Sequence, residues 1–141
     1  MALVGGGGAG NTAGSNPTGT SKGLNHLGNH AYAYSGLVAT SGSSFIEHLN
    51  FTTGSSYLVG HFDFIGATVE SDPADGKASI MQVQFNGETV IDAKVQTNPE
   101  VMPANYNANV IIPPYTHVVA SCRSGGSGAN TEINIIGRVY E

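Results

Sequence analysis

The stretch MQVQFNGETVIDAKV, residues 81–95, constrains the fold more than any other part of the chain. Apolar residues alternate with glutamines before Asn86-Gly87, and an apolar–polar alternation resumes after it. Successive side chains of a β-strand point to opposite faces, so this alternation predicts strands that bury one face. Asn-Gly between two such runs is the strongest short hairpin signal, so we predict that the two strands pair antiparallel.

Period-two patterning continues over most of the chain from residue 30 onward, and no stretch shows a helical period of useful length. Turn-forming residues divide this region into short segments. The eight predicted strands are 30–40, 43–53, 57–70, 77–85, 88–96, 109–112, 116–123 and 131–140.

The links between these strands favour an antiparallel sandwich with two Greek keys, the jelly roll. In that wiring the fourth and fifth strands are neighbours, and the sixth and seventh lie in opposite sheets. Pro113-Pro114 suits the corner between the last two, because neither proline donates a backbone hydrogen bond and each fixes φ. An up-and-down barrel would instead need a simple hairpin at every link. We therefore predict an all-β fold, an eight-stranded antiparallel jelly-roll sandwich over residues 30–141 with a Gly-rich N-terminal arm before it.

Composition argues against several classes of function. Charged residues make up 11% of the 141 residues, and the five basic ones are scattered, whereas nucleic-acid binding needs clustered Lys and Arg. Cys122 is the single cysteine, so no intrachain disulfide can form, and we interpret it as a small apolar filler in a strand. No apolar run approaches the length of a membrane span, so we predict no membrane partner.

Residues 1–29 differ in composition from the rest and form the predicted arm. The arm is rich in Gly, Ala, Ser, Thr and Asn and has too few apolar side chains to offset the entropy lost on ordering. We expect another protein surface to hold it, although it could also rest on its own domain. The candidate contact residues are Ala2, Leu3, Val4, Asn11, Asn16, Pro17 and Leu24, together with Tyr115 at the proline corner.

Several residues could carry chemistry, but no catalytic constellation stands out. His48 would oppose His61, with Asp63 beside them, if their strands formed a simple hairpin, but jelly-roll wiring separates them. The DPADG loop at 72–76 resembles a calcium loop only faintly and is better interpreted as a polar turn. In the alternating pattern of its strand, Glu47 falls on the face that carries apolar residues. This position indicates a buried acid, a bulge in the strand, or a charge pair with Arg138 or Lys94.

We therefore predict neither an enzyme nor a bound metal or cofactor. A carbohydrate-binding module is the alternative, since sandwich lectins use exposed aromatic residues with Asn and Asp. Its candidate aromatic residues are Tyr32, Tyr34, Tyr106 and Tyr115, although Trp, the usual sugar platform, is absent.

Four stretches carry a resemblance to a known group of proteins: NFTTGSSYLVGHF, VQFNGETVIDAKV, IIPPYTHVVAS and the terminal INIIGRVYE. Their order resembles that of small jelly-roll virion structural proteins of tailed phages over residues 30–141. This resemblance implies a capsid decoration, cement or vertex protein that binds the major capsid protein or another virion protein. It also implies a homotrimer that grips the capsid with terminal arms. The expected location is the virion, assembled in the host cytoplasm, and a trimeric tail or fibre module is the alternative.

Overall fold

The computed structural model describes residues 22–40, 44–66, 78–96, 105–124 and 130–140, which contain ten β-strands and no helix. The strands are β1 (Asn25–Leu27), β2 (His30–Tyr34), β3 (Val38–Ala39), β4 (Ile46–Thr52), β5 (Tyr57–Ile65), β6 (Ala78–Phe85), β7 (Glu88–Gln96), β8 (Asn105–Ile112), β9 (His117–Ser124) and β10 (Asn130–Tyr140).

The strands form two antiparallel sheets. The first has the order β1-β2-β10-β5-β8, with β3 also pairing with β10, and the second has the order β4-β9-β6-β7. Apart from the short β1 and β3, each sheet has the four strands of a jelly roll in jelly-roll order. The predicted all-β jelly-roll sandwich is therefore confirmed. Some details differ from the prediction. The predicted strand 30–40 divides into β2 and β3 around Gly36, whose φ is 68°, and β1 was not expected. β8 begins at Asn105 rather than at residue 109, and β5 ends at Ile65 rather than at residue 70.

The predicted arm and the sheet meet at β1. Asn25–Leu27 of the predicted arm pair with β2, and the Lys22 carbonyl accepts a hydrogen bond from the Asn50 amide in the second sheet. Residues 1–21 lie outside the described residues. The predicted boundary between arm and domain at residue 29 stays a prediction. β1 lies before that boundary and is a strand of the first sheet.

The core lies between the sheets and consists of side chains at alternate positions, as strand geometry requires. The fully buried apolar side chains are Ala31, Ala33, Leu49, Phe62, Phe64, Met81, Val83, Ile112, Val118, Ala120, Cys122, Ile133 and Ile135. Cys122 is an apolar filler as predicted, and burial raises the pKa of its thiol to about 11. Such a thiol is inert because little of it is ionised at neutral pH.

The Asn86-Gly87 hairpin joins β6 to β7 as predicted. Both residues have positive φ, 51° and 88°, as a type I′ turn requires. Asn86 also fastens the turn to β9, because its Oδ1 accepts from the His117 amide over 2.9 Å and its own amide donates to the His117 carbonyl over 2.8 Å.

Pro113-Pro114 takes the chain from β8 in the first sheet to β9 in the second, so the predicted corner is confirmed. Thr53, the residue after β4, holds this corner. Its hydroxyl donates to the Pro113 carbonyl over 2.7 Å and accepts from the Thr116 amide over 2.8 Å. Tyr115, with φ 56°, donates its amide hydrogen to the Gly54 carbonyl.

Gly60 and Gly137 are register partners in β5 and β10. A Cβ atom at Gly60 would lie 2.7 Å from the Gly137 Cα and would also collide with the Ile136 carbonyl oxygen. The two central strands approach each other so closely here that only glycine fits.

Candidate functional site

The predicted contact residues fall into three groups. Ala2, Leu3, Val4, Asn11, Asn16 and Pro17 lie outside the described residues, so their roles stay predictions. Leu24 is half-buried and packs against the core of its own domain. Tyr115 is exposed at the proline corner.

His48 and His61 are not neighbours, because β4 and β5 lie in different sheets as the jelly-roll prediction requires. His48 occupies the register shift between Glu47 and Leu49 and is 1% exposed. Its Nδ1 lies 2.8 Å from the Ile46 carbonyl oxygen and its Nε2 lies 2.7 Å from the Thr131 hydroxyl. A carbonyl only accepts, so Nδ1 carries the hydrogen and Nε2 accepts from Thr131. Burial lowers the pKa of His48, and the hydrogen bonds to Ile46 and Thr131 offset this only in part.

The bulge that begins beside Glu47 explains why this acid falls on the apolar side of the alternating pattern. Its carboxylate accepts from the Lys22 ammonium over 3.1 Å and from Asn50 Nδ2 over 3.0 Å. Burial opposes ionisation, but the hydrogen bonds from Asn50 and Lys22 outweigh it and lower the pKa of Glu47. Its partner is Lys22, so the suggested pairing with Arg138 or Lys94 is wrong.

The residues that the structure describes contain neither a cluster of metal ligands nor a membrane-spanning helix. No group of three or more His, Cys, Asp or Glu side chains there is placed to hold a metal ion. No helix in those segments is long and apolar enough to cross a membrane. The DPADG loop lies outside the described residues.

The solvent-facing side of the first sheet carries the most distinctive surface. Cα register places four residues in one row across the sheet, Tyr34, Asn134, Asp63 and Asn107, and a second row beside it, Tyr32, Ile136, His61 and Asn109. The Tyr32 and Tyr34 rings lie 5.4 Å apart between centroids. We call this surface the Asn–Tyr face and define it by Tyr32, Tyr34, Asp63, Asn107, Asn109 and Asn134.

Only two of the four predicted aromatic residues lie on this face. Tyr106 is the register partner of the buried Phe64 and therefore belongs to the other face of the sheet. Tyr115 lies at the proline corner. Sequence reasoning did not identify the asparagines. The signal that could have found them is Asn105, Asn107 and Asn109 at alternate positions of one strand, where Asn is normally depleted.

An apolar end of the same sheet lies next to the Asn–Tyr face. Tyr140 pairs with Tyr57, and Val59 pairs with Ile111. Their exposures are 50% for each tyrosine, 40% for Val59 and 64% for Ile111. We call these four residues the apolar end. A cleft of about 460 Å³ lined by His26, Gly28, Asn29, Arg138, Val139 and Tyr140 lies beside it.

Comparisons with known proteins report weak likenesses of fold. No family model matches the chain, and no curated protein matches it. The infectious bursal disease virus VP2 subviral particle aligns over 78% of this chain and 32% of that chain, with a TM-score of 0.46 and 12% identity. Dimeric latent PorU from Porphyromonas gingivalis aligns over 80% of this chain and 10% of that one, with a TM-score of 0.38 and 12% identity.

The infectious bursal disease virus Gx strain structure aligns over 79% of this chain and 34% of that one, with a TM-score of 0.34 and 14% identity. The chain thus spans about a third or less of each solved chain that it matches. Likenesses of this size carry no argument about function. The class defined by the chain's own geometry is a jelly-roll domain with an exposed polar–aromatic face and an adjoining apolar end.

Proposed function

We propose that this chain is a non-enzymatic structural protein of a virus particle, and more narrowly a decoration or cement protein that binds the outer surface of a phage capsid. The apolar end carries the proposal. Two tyrosines, a valine and an isoleucine that face solvent side by side indicate a surface that a protein partner covers. The jelly roll serves in viral capsids as well as in lectins, which supports the class by analogy.

The position of β1 relates the arm to this surface. Leu27 pairs with His30, His30 pairs with Arg138, and Arg138 pairs with Val59 of the apolar end. The N-terminal segment therefore joins the domain on the sheet that carries the apolar end. We propose that residues 2–17 and the apolar end grip the same partner, while Leu24, packed on the core, fixes where the arm leaves the domain.

The proposed partner is the major capsid protein or another virion protein, and the proposed assembly is a homotrimer located in the virion. The resemblance of residues 30–141 to phage virion proteins supports this narrower statement. Few charges and scattered basic residues suit broad contacts made by apolar side chains and backbone groups rather than by ion pairs.

Deletion of residues 2–21 tests the role of the arm. The truncated chain keeps every described residue, so we expect it to fold with an unchanged circular dichroism spectrum. We also expect it to lose co-sedimentation with cognate capsids that lack this protein. Sedimentation velocity of the full chain should show a trimer.

A pair of surface variants tests the apolar end in the same assay. Ile111→Lys should weaken capsid binding at least about tenfold, the factor that corresponds to about 1.4 kcal/mol. Val90→Lys is the matched control, because Val90 is 48% exposed but lies on β7 of the other sheet. The proposal would be overturned if both the truncated chain and Ile111→Lys bound capsids as tightly as the wild-type chain does.

A further inference from the structure

The Asn–Tyr face departs from ordinary strand composition. Asn105, Asn107 and Asn109 occupy every second position of β8, and Asn134 lies in the central strand β10. Asn is depleted in strands, because its side chain competes for backbone hydrogen bonds. Sequences depart from local preference chiefly where a function requires it, so these positions indicate a role in binding.

Polar groups of neighbouring strands surround the acid of this face, Asp63. Asp63 Oδ2 lies 3.4 Å from His61 Nε2. With the Asn107 amide oriented to donate, its Nδ2 lies 2.7 Å from Asp63 Oδ1 and 3.1 Å from the Tyr106 carbonyl oxygen. Asn134 Nδ2 donates to Glu132 Oε1 over 3.4 Å. The amide oxygens of Asn107 and Asn134 keep free acceptor capacity, so the face offers donors and acceptors together.

The tyrosine pair supplies flat apolar surface beside these polar groups. Tyr32 and Tyr34 share a parity on β2, their rings are tilted by 37° to each other, and both are half-buried, which fixes their positions. Sugar hydroxyls each donate and accept one or more hydrogen bonds, and the C–H face of a sugar ring packs on an aromatic ring.

We propose that the Asn–Tyr face is a binding site for a neutral oligosaccharide. Amide donors and acceptors around the Asp63 carboxylate match an uncharged, hydroxyl-rich ligand, whereas an anionic ligand would meet the carboxylates of Asp63 and Glu132. Strands lie about 4.8 Å apart, so the row from Tyr34 to Asn107 extends roughly 14 Å, which suits a short chain of sugars rather than one. The proposed sugar site is separate from the apolar end, so a failure of the chain to bind capsids would not contradict sugar binding.

Calorimetric titration of the full chain with neutral hexasaccharides tests this proposal. The probes are cellohexaose, maltohexaose, laminarihexaose and xylohexaose, with hexagalacturonate as the anionic comparison. We expect binding of at least one neutral probe and none of the anionic one. Tyr34→Ala and Asn107→Thr should each weaken that binding roughly tenfold, since they remove the aromatic surface and the amide.

Two controls separate binding from folding. Tyr57→Ala removes an exposed tyrosine from the apolar end of the same sheet and should leave sugar binding unchanged. Thr is favoured in strands over Asn, so Asn107→Thr should melt at or above the wild-type temperature while its sugar binding is weakened. The proposal is overturned if no neutral probe binds, if only hexagalacturonate binds, or if Tyr34→Ala and Asn107→Thr bind like the wild type. The last outcome would leave a protein partner as the occupant of the face.

Discussion

His48 lies at the bulge in β4, and the buried hydrogen bond between its Nε2 and the Thr131 hydroxyl on β10 joins the two sheets. Its pKa is lowered below 6.5 because burial disfavours the imidazolium. Above pH 6.5 the histidine is neutral in both the folded and the unfolded chain. Below it the unfolded chain binds a proton that the folded chain resists, so stability is lost as pH falls through this window.

We therefore expect the free energy of unfolding in urea to decrease between pH 7 and pH 5. Each unit by which the pKa is lowered corresponds to about 1.4 kcal/mol. His48→Gln keeps a donor and an acceptor but cannot titrate, so its decrease should be smaller. Glu47, whose pKa is lowered from 4.5, affects stability only at more acidic pH. Equal pH dependence in the wild type and His48→Gln would contradict this assignment.

Gly60 supports a second prediction about a single residue. Gly60→Ala should destabilise the chain by about 1–3 kcal/mol, because the new Cβ meets backbone atoms that cannot move cheaply. Gly54→Ala is the matched control, since a Cβ there meets nothing within 4 Å, and it should change stability by less than about 0.5 kcal/mol. Thermal denaturation of the two variants distinguishes close strand approach from a general cost of adding a methyl group.

The hydroxyl of Thr53, the residue after β4, makes two of the hydrogen bonds that hold the corner between β8 and β9. Thr53→Val removes the partner of the buried Thr116 amide and of the Pro113 carbonyl, so we expect a loss of about 2 kcal/mol. Thr52→Val, one position earlier on the exposed side, should be nearly neutral. Urea denaturation compares them, and equal effects would show that the corner does not depend on Thr53.

Elements with strong local signals were predictable from the sequence. Asn86-Gly87 specified its hairpin, and Pro113-Pro114 specified the change of sheet. β1 was missed because three residues carry too little periodicity to separate a strand from an arm. The bulge at His48 was only one of several interpretations of Glu47, since a single extra residue reverses the parity of the strand residues after it.

The candidate site could not be predicted as a unit, because its members are brought together by the whole fold. Tyr34, Asp63, Asn107 and Asn134 come from four strands that are distant in sequence and adjacent only in the sheet. Tyr32 and Tyr34 were candidates by their residue type. Nothing local indicates that Asp63 and Asn107 lie beside them, since that depends on the register of pairs far apart along the chain.

The central position of β10 also has a consequence for biosynthesis. β10 pairs with β2, β3 and β5, so it lies inside the first sheet although it comes last among the described strands. Tyr32 must meet Ile136, more than a hundred positions later in the chain. Contacts of such sequence separation form slowly. On a ribosome, β2 and β5 therefore remain without their common neighbour until β10 has emerged, and the first sheet cannot close before that point.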